Sequence, residues 1–297
     1  MAGRVRQLST PAHGVPSFPL SIAGKGGPPW LKNRRRVDVG GYQLAYEVAG
    51  TGSPAVVLEA GIGGAADTWD SVFVPLSQIT RVCRYDRAGR GRSDPAQTPR
   101  SCIAAVTDLH SLLTRVPLPS PYVLVGHSFG GLLIRLFIAR YPEEVSGLVL
   151  LDAAHQDTMA RYLACLPAPT ADEPRTLAAA RSFLGGGYAE LPFNPEGFDL
   201  AAMPGQVGGS GPFGNLPLAV LTAGHYELPP GLPEALAAPL REVRLALQRE
   251  LAALSARSTH VLAGQSGHDI QVDQPHLAID AIRGLVEASR ARPFSPV

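Results

Sequence analysis

The chain has 297 residues, 45% of them apolar and 17% charged, with a formal net charge of +1. That apolar share supplies a large core and excludes a mostly disordered chain; near-neutrality argues against a protein that coats nucleic acid. No stretch approaches the roughly 20 apolar residues of a membrane-spanning helix, so no span is expected. Lys occurs only at Lys25 and Lys32 against 24 Arg, the bias of a GC-rich bacterial coding sequence.

Residues 1–36 carry seven basic and no acidic side chains, leaving 19 basic against 25 acidic in the remainder. Residues 1–33 also hold five Pro and no sustained periodicity, which predicts a flexible basic tail ahead of a domain over 34–297. Within that tail the apolar run Phe18–Ala23 is too short for a secretory signal and is broken by Pro19. The three cysteines, Cys83, Cys102 and Cys165, have no C-x-x-C spacing, so reduced thiols in a cytoplasmic protein are expected.

Beyond the tail, Arg36–Val39, Gly40-Gly41 and Tyr42–Val48 read as a β-hairpin. Ala55–Glu59 is a β-branched run that ends in Gly61-Ile62-Gly63-Gly64, and Arg81–Tyr85 is a second strand closed by an arginine- and glycine-rich loop. A helix over Ile103–Val116 places Val106, Leu109, Leu113 and Val116 on one face. Tyr122–Val125 is a strand that runs through Gly126-His127-Ser128-Phe129-Gly130 into an apolar helix, Leu132–Arg140, stopped by Pro142. Gly147–Leu151 is a continuous apolar strand of the kind found inside a covered parallel sheet. Leu218–Thr222, a helix near Pro233–Ser255, strand Thr259–Leu262 and a helix about Pro275–Ala288 complete the alternation. Strands alternating with helices after a hairpin predict an α/β fold with a mostly parallel sheet of about eight strands, helices on both faces. The Pro- and Gly-rich residues about 154–215 break the rhythm just after a strand's C-terminal end, where open α/β sheets bind ligands, and read as an inserted lid.

The chemistry centres on the G-x-S-x-G of residues 126–130, which sits between a strand and a helix. In that context Ser128 occupies a tight turn whose crowded backbone demands small neighbours, with the positive end of the next helix aimed at the site. A serine hydroxyl needs a base to become a nucleophile, and His268, flanked by Gly267 after the last strand, is the best placed. The other histidines read as structural, except His155 and His225, which border the expected pocket. A carboxylate should fix the imidazole tautomer. Asp152, at the end of the Leu148–Leu151 strand, and Glu227, after Thr222-Ala223-Gly224, both satisfy the chain order serine, acid, histidine; Asp152 is favoured narrowly.

The pattern resembles the α/β-hydrolase superfamily, serine-nucleophile esterase/lipase-like branch, over about residues 36–290. Beside the serine elbow, Asp86-Arg87-Ala88-Gly89-Arg90-Gly91-Arg92-Ser93 is similar to the family's D-x-R-G-x-G-x-S, and Gly267-His268-Asp269 stands where its histidine falls. Ala60-Gly61-Ile62-Gly63-Gly64 stands where relatives carry His-Gly-x; with Ala60 in place of that histidine, the hydrogen bonds bracing the loop must come from elsewhere. The resemblance implies an oxyanion hole from the N–H groups of Phe129 and Ile62. It also implies ester or related acyl hydrolysis through an acyl-enzyme, with no cofactor or metal and a small-molecule acyl substrate as partner. His155, Phe183, Tyr188 and Phe193 are expected to line an apolar substrate site. Two other readings stay open: a specialised acyl-transfer, thioesterase, cyclase or lyase step, and a non-catalytic ligand-binding protein on the same fold. Arg84, Arg87, Arg90 and Arg92, interleaved with Asp86 and Asp94, are expected to be ion-paired loop residues.

Overall fold

Asp38 ends the first strand and its side chain folds back onto the turn, accepting from the N–H groups of Gly40 and Gly41 at 2.9 and 3.3 Å. Those glycines have φ of 129° and 108°, a region side chains avoid, so the expected hairpin closes there between β1 (Arg35–Asp38) and β2 (Gln43–Ala49). A computed structural model of the chain describes residues 34–225 and 232–291. The basic segment 1–33 and Glu227 lie outside the described residues.

The hairpin leads into β3 (Ala55–Glu59), α1 (Asp70–Ser77), β4 (Val82–Tyr85), α2 (Cys102–Arg115), β5 (Tyr122–His127), α3 (Phe129–Arg140) and β6 (Val145–Leu151). After an insertion come β7 (Leu218–Ala223), α7 (Ala237–Ala252), β8 (Ser258–Ala263), α8 (Ile270–Asp273) and α9 (Pro275–Ala291). The insertion carries α4 (Thr158–Ala164), α5 (Arg175–Leu184) and α6 (Met203–Val207). The strands form one eight-stranded sheet in the order β1-β2-β4-β3-β5-β6-β7-β8, with β1–β2 and β2–β4 antiparallel and the rest parallel.

Strands β3, β5 and β6 are buried along their whole length, which is why they read as unbroken apolar runs. One face, with Val57, Leu124, Leu148 and Val220, packs under Leu109 and Leu113 of α2 and Leu133 and Phe137 of α3. The other, with Val56, Val123, Val125, Val149 and Leu221, packs under Phe73 of α1 and Ile282 and Val286 of α9. The insertion is anchored twice. Tyr162, Leu177 and Leu184 form a small core with Leu240 of α7, while Phe198, Leu200, Met203 and Val207 join the main core. Helix α1 falls outside the sequence expectations because Pro75 sits inside its short span.

The register fixes where the site must be. Glu59 pairs with Gly126, His127 with Leu151, and Leu151 with Leu221, so the loops after β3, β5, β6 and β7 leave the sheet at one level.

Candidate active site

Ser128 lies between β5 and α3 with φ 52° and ψ −123°, a backbone conformation that costs a non-glycine residue roughly 1–3 kcal/mol. The surroundings hold it there. Its N–H donates to Leu151 O at 3.1 Å, and its carbonyl accepts from the N–H groups of Gly131 and Ala154 at 3.0 and 2.9 Å. The flanking glycines are required by contact. A Cβ on Gly130 would stand 2.4 Å from Glu59 O, and one on Gly126 would stand 2.6 Å from Ile134 Cδ1. The sequence pattern and the crowding of the turn are therefore one fact seen twice.

Asp152, the residue after β6, also has positive φ, 42°, with its N–H bonded to Leu221 O at 2.7 Å. Its Oδ2 lies 2.7 Å from His268 Nδ1. Its Oδ1 accepts from the Ala223 N–H at 3.1 Å and from the Arg244 guanidinium, which also donates to Ala223 O at 3.0 Å. Burial alone would raise the Asp152 pKa, but the His268 hydrogen bond and the Arg244 charge outweigh it and hold the carboxyl below its ordinary value. Both Asp152 oxygens are thus held, one against His268 Nδ1 and the other by Ala223 and Arg244. The carboxylate side chain is 4% exposed and the imidazole 53%, so one end of the pair is fixed in protein and the other faces solvent.

His127 supports the pair from below. Its Nε2 lies 3.0 Å from His268 O and its ring centroid 4.6 Å from that of His268. Burial, reinforced by His268, pushes its pKa down to about 4, so near neutral pH it is an uncharged ring that donates Nε2–H to that carbonyl. Neither His127 nor Arg244 was singled out from the sequence. Arg244 had a signal: it interrupts the apolar stripe of Leu240, Leu247 and Leu251 on α7, and it is buried with them.

The loop after β3 lies against the elbow. A Cβ on Gly61 would stand 3.2 Å from Ser128 Cβ and 3.1 Å from His127 Nδ1, so a side chain there would press on both residues of the elbow. Among the described residues the N–H groups of Phe129 and Ile62 have no acceptor. Phe129 is buried against Phe198 of the insertion, with ring centroids 4.7 Å apart.

The remaining sequence candidates fall in different surroundings. Phe183 packs edge-on against Phe193 at 4.7 Å and Tyr188 at 6.4 Å, an aromatic cluster on the insertion with Phe193 half exposed. His155 is buried, its partners being Asp157, Thr158 and, at 3.6 Å, Glu250; no hydrogen bond joins it to Ser128, His268 or Asp152. Arg84 and Arg87 are buried ion-pair residues, Arg84 with Glu47 and Asp70, Arg87 with Glu59 and Glu196. A cavity of about 780 Å³ opens beside Val145, Leu216, Pro217 and Arg257, at the N-terminal ends of β6, β7 and β8 and therefore at the sheet edge opposite Ser128. Among the described residues no helix is long and apolar enough to cross a membrane.

Residues 54–189 match the model of the alpha/beta hydrolase fold family. The chain is 27% identical over 253 residues to the uncharacterized protein YqjL of Bacillus subtilis, covering 85% of this chain and 91% of that one. Among solved structures, a thermophilic esterase from Thermogutta terrifontis superposes with a TM-score of 0.60 at 21% identity, covering 86% of this chain and 98% of the esterase. An enol-lactonase from Burkholderia xenovorans superposes with a TM-score of 0.59 at 21% identity, covering 85% of this chain and 100% of the lactonase. The eight-stranded sheet and its helices have the α/β-hydrolase fold, the fold of the family model matched over residues 54–189.

Proposed function

We propose that the protein is a serine hydrolase of the carboxylesterase type, cleaving an ester or related acyl bond of a small, largely apolar substrate through an acyl-enzyme. The observation that carries this reading is the 2.7 Å contact between Asp152 Oδ2 and His268 Nδ1 beside a strained serine elbow. Ser128 Oγ attacks the acyl carbonyl carbon and passes its proton to His268 Nε2, while Asp152 holds Nδ1–H and stabilises the imidazolium. The N–H groups of Phe129 and Ile62 receive the charge that develops on the carbonyl oxygen, where one donor is typically worth about 3 kcal/mol. The tetrahedral species collapses, the leaving alcohol takes the His268 proton, and Ser128 keeps the acyl group. His268 then removes a proton from water, which attacks the ester; the acid departs and Ser128 regains its proton.

The aromatic cluster of Phe183, Tyr188 and Phe193 and the packing of Phe198 on Phe129 support a lid role for the insertion and an apolar acyl or alcohol group beneath it. The esterase and lactonase among the structural neighbours support the same reaction class. The reading is tested with p-nitrophenyl butyrate. Wild type should hydrolyse it, and Ser128→Ala should retain the fold but lose turnover; activity that survives in pure Ser128→Ala would refute the reading.

A further inference from the structure

The loop that carries Ile62 lacks the family's bracing histidine, since Ala60 stands there, and its carbonyls are instead held by a buried arginine. Arg87 Nη1 donates to Ala60 O at 2.6 Å and Nη2 to Gly61 O at 2.6 Å. The other N–H groups of the same guanidinium are taken by two carboxylates: Glu59 Oε1 at 2.5 Å from Nη1, and Glu196 Oε2 and Oε1 at 2.7 Å from Nε and Nη2. Every N–H of the fork is thus used, which fixes its plane. Glu196 does more than neutralise Arg87. Its Oε1 also accepts the Gly63 N–H at 2.7 Å, so one carboxylate oxygen joins the loop and the guanidinium. Arg87 and Glu196 side chains are 2% and 0% exposed. Glu196 comes from the insertion, far along the chain from the loop it holds.

Geometry gives this cluster a consequence for the reaction. In a trans peptide the C=O and N–H point to opposite sides. Anchoring Gly61 O on Arg87 therefore turns the Ile62 N–H to the other side of that peptide, and the Glu196 bond to Gly63 N–H fixes the next peptide. We propose that Arg87 and the insertion residue Glu196 are positioning residues for the oxyanion hole: together they set the orientation of the Ile62 amide. The inference rests on the serine-hydrolase reading. It makes the insertion part of the catalytic frame as well as a cover, because the loop is held in place by a residue the insertion supplies.

A merely structural role would lower stability and the number of working sites; an aiming role lowers the rate at each working site. The test compares wild type with Glu196→Gln, Glu196→Asp and Arg87→Lys, using p-nitrophenyl butyrate. Rates are expressed per serine titrated with a fluorophosphonate, so loss of folded protein does not count. Affinity for an alkyl trifluoromethyl ketone is measured in parallel; Ser128 Oγ adds to its carbonyl carbon, the proton passes to His268, and the former carbonyl oxygen becomes an oxyanion. Gln presents an NH2 where Oε1 or Oε2 accepted, leaving an Arg87 or Gly63 N–H without a partner. The expected result is a fall in kcat of about tenfold to a hundredfold in Glu196→Gln and Arg87→Lys. The ketone should weaken by the same factor and KM should move by less than about twofold. Glu196→Asp, which keeps the charge, should recover part of the loss. Unchanged kcat per titrated serine, or a fall in kcat with undiminished ketone affinity, overturns the proposal. A wild type that neither labels nor turns over would instead refute the hydrolase reading, and the inference with it.

Discussion

Along β3, β5 and β6 every residue is buried, and Val, Leu and Ala make up two thirds of them. At the same strands' C-terminal ends the interior changes character: Glu59, His127 and Asp152 are buried there with partners, and Arg87 from the loop after β4, Glu196 from the insertion and Arg244 from α7 are buried in the bonds that join them. The first region gains stability from area alone and tolerates small shifts. The second spends stability on charges that must be paired to be tolerated at all, and what it gains is fixed direction at particular atoms. The contrast predicts that substitutions at the edge act on rate and substitutions between the faces act on stability.

The largest separation is expected at Ser128. Ser128→Ala should lower kcat for p-nitrophenyl butyrate by at least about 10⁴-fold, with a melting temperature close to that of wild type by calorimetry. Asp152→Asn follows: the side chain keeps its shape but loses the ionised acceptor for His268 Nδ1–H, and kcat should fall by about 10³–10⁴-fold. A loss of under about tenfold in Asp152→Asn would move the acid's role elsewhere, with Glu227 next to be replaced. Between the faces the opposite pattern is expected. Leu124→Ala should lower the free energy of unfolding in urea by about 2–5 kcal/mol while leaving kcat per titrated site nearly unchanged.

Two finer tests sharpen the comparison. The His127 pKa is pushed down to about 4 from an ordinary value of 6.5, so between those pH values the unfolded chain binds a proton that the native ring refuses. Stability from this group is present above about pH 6.5 and is lost as pH falls toward 4, by up to about 3 kcal/mol. His127→Gln should flatten that part of the stability profile; identical slopes in the two proteins would contradict the assignment. Arg244 bonds Asp152 and the Ala223 carbonyl, so Arg244→Met should lower kcat by only about tenfold. A loss as large as that of Asp152→Asn would mean that Arg244 is needed to hold Asp152 in place.

The apolar region was also the legible one. Ala55–Glu59 was read at its observed bounds, and β5, α3 and β7 within a few residues, because burial on both faces leaves a continuous apolar run and the elbow forces glycine at positions 126 and 130. At the edge, sequence pattern singles out candidates only where the chemistry is local, as for Ser128 and His268. Asp152 and Glu227 could not be separated by order along the chain; the bond from Asp152 to His268 spans 116 residues and depends on the register of β6. Arg87 was rightly placed among ion-paired arginines, yet its partner Glu196 lies 109 residues away in a segment with little periodicity. Arg244 lies on the helix expected near Pro233–Ser255, and its bond to Asp152 spans 92 residues. Pairings between buried charges follow from the fold, and no spacing rule carries them.

The central claim is that Ser128 is activated through His268 and Asp152, and its most direct test is the rate of fluorophosphonate labelling followed by intact mass spectrometry. The account predicts one adduct on wild type, none on Ser128→Ala, and labelling of Asp152→Asn slowed by about 10²-fold or more. No adduct on wild type, an adduct that persists in Ser128→Ala, or equal rates for wild type and Asp152→Asn would contradict it.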